Sequence, residues 1–549
     1  MTARRLSFLR SERRSGRLRL AILATLALGS AGMASGGESA IADARKAADA
    51  AIARHDPVSA EIGLRQAIAK THAGDALRAW LAEALLLQGD GAGAARALDS
   101  GALSPDSAGL GWRVRGQIAL AGGQLGQAAA AFDQALRVTP NDADLWVSIA
   151  AMRFTGGEQA QAVTAADRAV TLDPGNPRAL AMRGLLIREQ YGLAAALPWF
   201  EDALLLHPDE PALLDAYAST LGDLGQYRAM LVVARKLAEV DPKSQRPRLM
   251  EAVLAARAGQ AELARSILQR TGSAFRDMPA AMLLSGVLEM RVGNKAVAVE
   301  TLERLVTLQP DNGLAKHVLA RALAANAEWR ALASRFDDDV AAGRAGPDLV
   351  ALVGTAWTRL GDRAKGEALI ARAAAMTGTA SPVALAGNGT LAVLESRYAD
   401  NPHAAANAVP YVRALIAAHR ADAAQPLADR LSDENPGNAD AQLLAGDCRM
   451  IRGDARGALS DYQQAAAIRF NEAILVRMDA ALRAVGRAGD ADGMTSRYLA
   501  QNPQSAVAMT LLAAGWAGNP ARVRALAALR RAMLARGAEI PSTAAPVAG

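Results

Sequence analysis

Residues 109–142 read GLGWRVRGQIALAGGQLGQAAAAFDQALRVTPND, and this 34-residue frame returns along the chain. Pro140, Pro174, Pro208 and Pro242 are each 34 residues apart, and Pro310 lies two periods further on. Trp112 and Trp146 repeat the same spacing. With these prolines placed at repeat position 32, position 8 reads Ala48, Ala82, Gly116, Ala150, Gly184, Ala218, Ala252, Gly286, Ala320 and Gly354, every one of them small. Position 15 is glycine at Gly89, Gly123, Gly157, Gly225, Gly259, Gly293 and Gly361. Position 20 is mostly alanine, as at Ala94, Ala128, Ala162 and Ala264. Self-similarity at a fixed period of this length marks an array in which each repeat is one supersecondary unit.

The physical reading of the period is a helix pair. Helix A spans about positions 1–14 and ends at the glycine, which tolerates the left-handed conformation of a helix terminus. Helix B runs to about position 30, and the proline at position 32 prevents its continuation. Small residues at positions 8 and 20 let the two helices approach. Phe132 and Phe200 at position 24, with Leu136 and Leu204 at position 28, fill the neighbouring holes. A single pair cannot bury its apolar face, so pairs must stack.

Residues 109–142 resemble the tetratricopeptide repeat through Trp112, Gly116, Ala128, Phe132, Ala135 and Pro140. The resemblance extends over about 41–536 and implies an all-α fold, a right-handed α-solenoid of stacked antiparallel helix pairs. Ten repeats share one register from 41 to 380, with the first two and the seventh degenerate. The register breaks over 381–403, where one helix fits before Pro402. Three to four further repeats with a capping helical pair occupy 405–536, and residues 537–549 are expected to be a disordered tail.

Composition supports many small helix–helix contacts over one large core: 51% of residues are hydrophobic but only 4% aromatic. The net charge of +6 is confined to the start of the chain. Arg4, Arg5, Arg10, Arg13, Arg14, Arg17 and Arg19 face one acid there, Glu12, and beyond residue 36 bases and acids number 54 each. That balance leaves no basic footprint for nucleic acid. The arginines precede an apolar run, Leu20–Met33, and then the small residues Ala34, Ser35, Gly36 and Gly37. Basic, apolar, then small is the pattern of a secretory leader. Residues 1–36 are thus read as a signal peptide, with an uncleaved N-terminal anchor as the alternative, and the protein as periplasmic or envelope-associated.

Catalytic and metal signatures are missing. The six histidines show no HExxH, and His55 and His419 fall at repeat position 15, a turn site. The chain has no phosphate-binding loop of the GxxxxGK[ST] type and no GxSxG elbow. Cys448 is the only cysteine, so it forms no internal disulfide or cysteine cluster. Neither an enzyme nor a cofactor is expected.

The resemblance implies that other proteins bind in the concave groove lined by helix A, through repeat positions 2, 5, 9, 12 and 13. Those positions hold Arg113, Gln117, Arg178, Arg188, Arg246, Arg257, Arg291 and Arg321, interspersed with Asp144, Glu189, Asp215 and Asp223. Guanidinium groups can take carboxylates through two parallel hydrogen bonds, so an acidic segment or an anionic polymer is the expected guest. The family's clamp for a C-terminal carboxylate does not carry over, because Ser148 and Met182 stand where it needs asparagine and arginine. The functional expectation is an exported scaffold in a cell-envelope or secretion assembly. The alternative is an accessory protein of exopolysaccharide or cellulose export that contacts the polymer or its machinery. Groove positions poor in aromatics give a polysaccharide little to stack on.

Overall fold

The structure, a computed structural model, describes residues 38–516 and 521, apart from 273, 311, 342–344 and 376–389. Among the described residues there are 28 helices and no strand. The fold is an all-α solenoid. The first pair is α1 over 38–53 with α2 at Pro57–Thr71. In the repeat quoted above, helix A is α5, Pro105–Ala121, and helix B is α6, Leu125–Val138. The expected leader and tail lie outside the described residues. No helix among those described is long and apolar enough to cross a membrane.

The turn between helices A and B requires a left-handed residue. Gly89, Gly123, Gly157, Gly225, Gly259, Gly293 and Gly361 all have φ between 71° and 100°. The requirement outlives the glycine: His55, Ala327 and His419 occupy the same repeat position at φ 57°, 59° and 58°. The two histidines are therefore turn residues. In the fifth repeat Tyr191 holds that position, and the neighbouring Gly192 takes φ 99° instead.

Close approach of A and B explains the small residue at position 8. A Cβ added to Gly116 would sit 2.3 Å from the Phe132 ring, and one on Gly184 2.4 Å from Phe200. Gly286 faces Leu302 at 2.6 Å and Gly446 faces Tyr462 at 2.4 Å in the same way. Each partner lies sixteen positions on, and Phe132, Phe200, Leu302 and Tyr462 are all buried. In two of the repeats where the small residue is alanine, position 24 shrinks as well: Ala150 with Ala166 and Ala218 with Ala234.

The described chain divides into two compact units, Met1–Met152 and Arg153–Gly549. In the second, the A helices α9 (Pro177–Tyr191), α11 (Pro211–Asp223), α13 (Arg246–Arg257), α15 (Pro279–Arg291) and α17 (Gly313–Ala325) each pack against the next A helix. Successive B helices there barely touch. A stack that is tighter on one side curves towards it, so the A helices line the inner face. Among the described residues the helix after α20, Arg363–Ala375, is α21, Leu391–Asp400, and it is followed by the pair α22, Ala405–Ala417, and α23, Ala421–Glu434.

The curvature brings the second unit back onto itself. The Ala439 N–H donates to Gln159 Oε1 at 3.3 Å, 280 residues away in sequence, and the Ala160 N–H donates to the Gly437 carbonyl at 3.2 Å. The Phe470 N–H donates to the Glu189 carbonyl at 3.0 Å, and the Leu193 N–H to Asn502 Oδ1 at 3.4 Å. The seam is hydrogen-bonded through backbone and side-chain amides. It joins the A/B turns of early repeats to the B/A turns of late ones.

Candidate protein-binding surface

Three of the seven groove arginines, Arg113, Arg188 and Arg246, are committed to acids of a neighbouring repeat. Arg113, on α5, is only 7% exposed. It pairs with Glu83 at 2.7 Å, with Asp142 at 2.9 Å and with Asp144 at 3.5 Å. Burial opposes its charge, but the three carboxylates outweigh that and lift its pKa above the ordinary guanidinium value. Gln117, one turn further along, donates to Ser148 Oγ at 2.9 Å. In the second unit Arg188 donates to Thr220 Oγ1 at 3.0 Å and to Asp223 at 2.5 Å. Arg246 holds Asp215 through two hydrogen bonds of 2.8 Å. Three of the four interspersed acids, Asp144, Asp215 and Asp223, are thus intramolecular partners of groove arginines.

The C-terminal repeats carry the same device. Asp447, 2% exposed, accepts from Arg477 at 2.7 and 2.8 Å and from the Tyr462 hydroxyl at 2.8 Å. Burial, and then the Asp447 carboxylate, push the Tyr462 pKa up. Glu83 with Arg113 and Asp447 with Arg477 both join an acid at repeat position 9 to an arginine at position 5 of the next repeat, thirty residues later. The sequence holds this signal as a recurring spacing, but it is visible only when acids and bases are read together. Breaking such a pair leaves a charge stranded in a poorly solvated place, which makes it a register lock between repeats.

What remains open to a partner is a smaller set. Arg178 stands outside that set: it is half-buried, and its backbone N–H donates to Asn176 Oδ1 at 3.0 Å. Arg257 is exposed and lies over the Tyr227 ring at 5.6 Å. Arg291 is exposed and donates to the Ala256 carbonyl at 3.4 Å. Arg321 is exposed too. Arg257, Arg291 and Arg321 sit on the successive A helices α13, α15 and α17, which pack side by side. They form the one part of the expected groove set that combines exposure with proximity. Among the described residues, no group of three or more His, Cys, Asp or Glu could hold a metal ion. Cys448 is fully buried, and burial pushes its thiol pKa up to about 12.

The tetratricopeptide repeat family profile matches residues 113–177, 249–313 and 412–474, segments drawn from the early, middle and late parts of the array. The chain carries tetratricopeptide repeats. Repeats of this family form protein–protein interaction scaffolds and are typically non-catalytic. No curated protein matches the chain. Similar solved structures include a tetratricopeptide repeat protein from Parabacteroides merdae, with 17% identity over 49% of this chain and 99% of that one, at a TM-score of 0.32. A thermophilic TPR protein of Thermus thermophilus has 17% identity over 33% of this chain and 98% of its own, at 0.30. PilF of Pseudomonas aeruginosa has 20% identity over 38% and 94%, at 0.31.

Proposed function

We propose that this protein is an exported scaffold of a cell-envelope or secretion assembly, and that it holds partner proteins along the face lined by its A helices. The observation that carries the reading is the pairing of a basic–apolar–small leader with a long array that is otherwise charge-balanced. A scaffold needs a large repetitive surface, and export needs the leader. The exposed arginines Arg257, Arg291 and Arg321 are the proposed contact for carboxylates of the partner, since Arg113, Arg188 and Arg246 are already paired.

Two experiments test the reading. Residues 1–45 fused to a reporter enzyme that works only after export should give activity, and an inactive, intact fusion refutes export. Crosslinking in cells with mass spectrometry should place envelope proteins against α13, α15 and α17. Triple charge reversal, Arg257→Glu with Arg291→Glu and Arg321→Glu, should then abolish capture of those proteins. Unchanged capture refutes the arginine contact. Crosslinks dominated by polysaccharide-synthesis proteins would select the exopolysaccharide accessory reading instead.

A further inference from the structure

The seventh repeat, like the second with its helix Gly91–Asp99, has a short B helix. Its helix B, α14, runs only from Ala261 to Gln269, nine residues, whereas the flanking B helices α12 (Tyr227–Val240) and α16 (Lys295–Leu308) have fourteen. The chain leaves the helix early and turns through Gly272 at φ 61°. Hollows lie on both sides of α14, and the one towards α15 is bordered by the residues that follow the shortened helix, Thr271, Gly272, Phe275 and Arg276.

On one side, between α12, α13 and α14, lies a cavity of about 270 Å³ walled by Leu231, Leu254 and Ile267. Arg235 and Arg270 stand at its edge with Glu251. On the other, between α14, α15 and α16, lies a cavity of about 210 Å³ floored by Met282 and Leu288, with Phe275 and Arg276 beside them. Arg265 and Arg304 also border this second cavity, but each is engaged, with Glu289 at 2.9 Å and Asp277 at 2.6 Å. Arg235, Arg270 and Arg276 are exposed and have no carboxylate within ion-pair distance among the described residues. Each hollow has room for about one large apolar side chain, since a cavity of about 150 Å³ already admits benzene.

We propose that α14 is a docking site for an acidic segment of a partner protein, which places one apolar side chain in each hollow and its carboxylates against Arg235, Arg270 and Arg276. The two anchors must straddle α14, a distance of about 10 Å set by the diameter of a helix. In a polyproline-II segment that is about three residues, one full turn, so the two anchors point the same way. The apolar floors supply burial, and the unpaired guanidinium groups select carboxylates over neutral or basic flanks. The inference rests on the array being a protein-binding scaffold, but not on export and not on the A-helix arginines.

The probe is a fluorescein-labelled peptide, Asp-Leu-Asp-Glu-Leu-Asp, titrated by fluorescence anisotropy against the purified chain lacking residues 1–36. Saturable binding that weakens as salt rises is expected, and the same peptide with each acid replaced by lysine should not bind. Arg235→Glu with Arg270→Glu and Arg276→Glu alters only exposed, unpaired side chains, and should weaken binding at least tenfold while leaving the circular dichroism spectrum unchanged. Ser285→Phe, which projects a ring into the smaller cavity, should weaken it as well, whereas Arg257→Glu with Arg291→Glu should not. Absence of binding, equal binding of the lysine peptide, or full binding by the folded triple variant overturns the proposal. Each of those results leaves the export and crosslinking tests standing.

Discussion

Replacing Gly116 by alanine adds one methyl group where the structure has no room for it. The new carbon would lie 2.3 Å from Phe132 Cε1, 2.5 Å from Cδ1 and 2.8 Å from Cζ. The ring is 1% exposed and cannot swing into solvent. Overpacking of this kind costs about 1–3 kcal/mol. Alanine also recovers the helix propensity that glycine lacks, about 1 kcal/mol. The net expectation is a loss of up to about 2 kcal/mol around α5 and α6. Gly63, inside α2, is the control, because nothing lies within 4 Å of its added Cβ. Gly63→Ala should therefore stabilise its own repeat by up to about 1 kcal/mol, opposite in sign. Repeat arrays need not unfold as one unit, so a single melting curve is the wrong measurement. Hydrogen exchange followed by mass spectrometry reports each helix separately, and a change of about 1.4 kcal/mol appears as tenfold faster exchange. Phe132→Leu combined with Gly116→Ala should be less damaging than the two single changes summed, with a coupling of about 0.5 kcal/mol or more. If Gly116→Ala slows exchange as Gly63→Ala does, or the coupling is nil, the close-approach account of position 8 is wrong.

Arg113→Leu should cost about 3–5 kcal/mol, because Glu83 is left without its buried partner, and adding Glu83→Leu should restore part of the loss in the same exchange measurement. Gln159→Ala removes the acceptor of the Ala439 N–H at the seam; at about 1 kcal/mol per hydrogen bond, exchange of that amide should quicken about fivefold, and unchanged exchange means the seam is open in solution. Cys448 should resist Ellman's reagent in the native protein at pH 8 and react fully in denaturant, and fast native labelling contradicts its burial. Because its pKa is raised in the folded state, that thiol subtracts nothing below its ordinary range. Stability should fall as pH climbs from there towards 12, where the unfolded chain ionises first.

The groove was only partly legible. Arg188 and Asp223 were both visible as groove residues, but repeat positions taken one at a time do not show that the second neutralises the first. Pairing is a matter of which side chains meet across a repeat boundary, and that depends on the rotation between successive pairs. Glu83 with Arg113 and Asp447 with Arg477 could have been found by searching for opposite charges thirty residues apart. The hollows beside α14 could not. The sequence shows the seventh repeat to be degenerate, but the point where helix B stops depends on how the residues after Gln269 pack against α15.

Sequence alone determined the helix pair, its period and its turns, because those follow from local rules: a small residue where two helices touch, a left-handed residue between them, and a proline where helix B must end. Pro140, Gly123 and Gly116 carry all three within one repeat. The tertiary structure decided what accumulates over many repeats. A small rotation per pair, summed around the curve, brings Gln159 against Ala439, and no pattern within 34 residues encodes that meeting. The rotation between adjoining pairs also sets which arginines are spent on neighbours and leaves Arg257, Arg291 and Arg321 exposed.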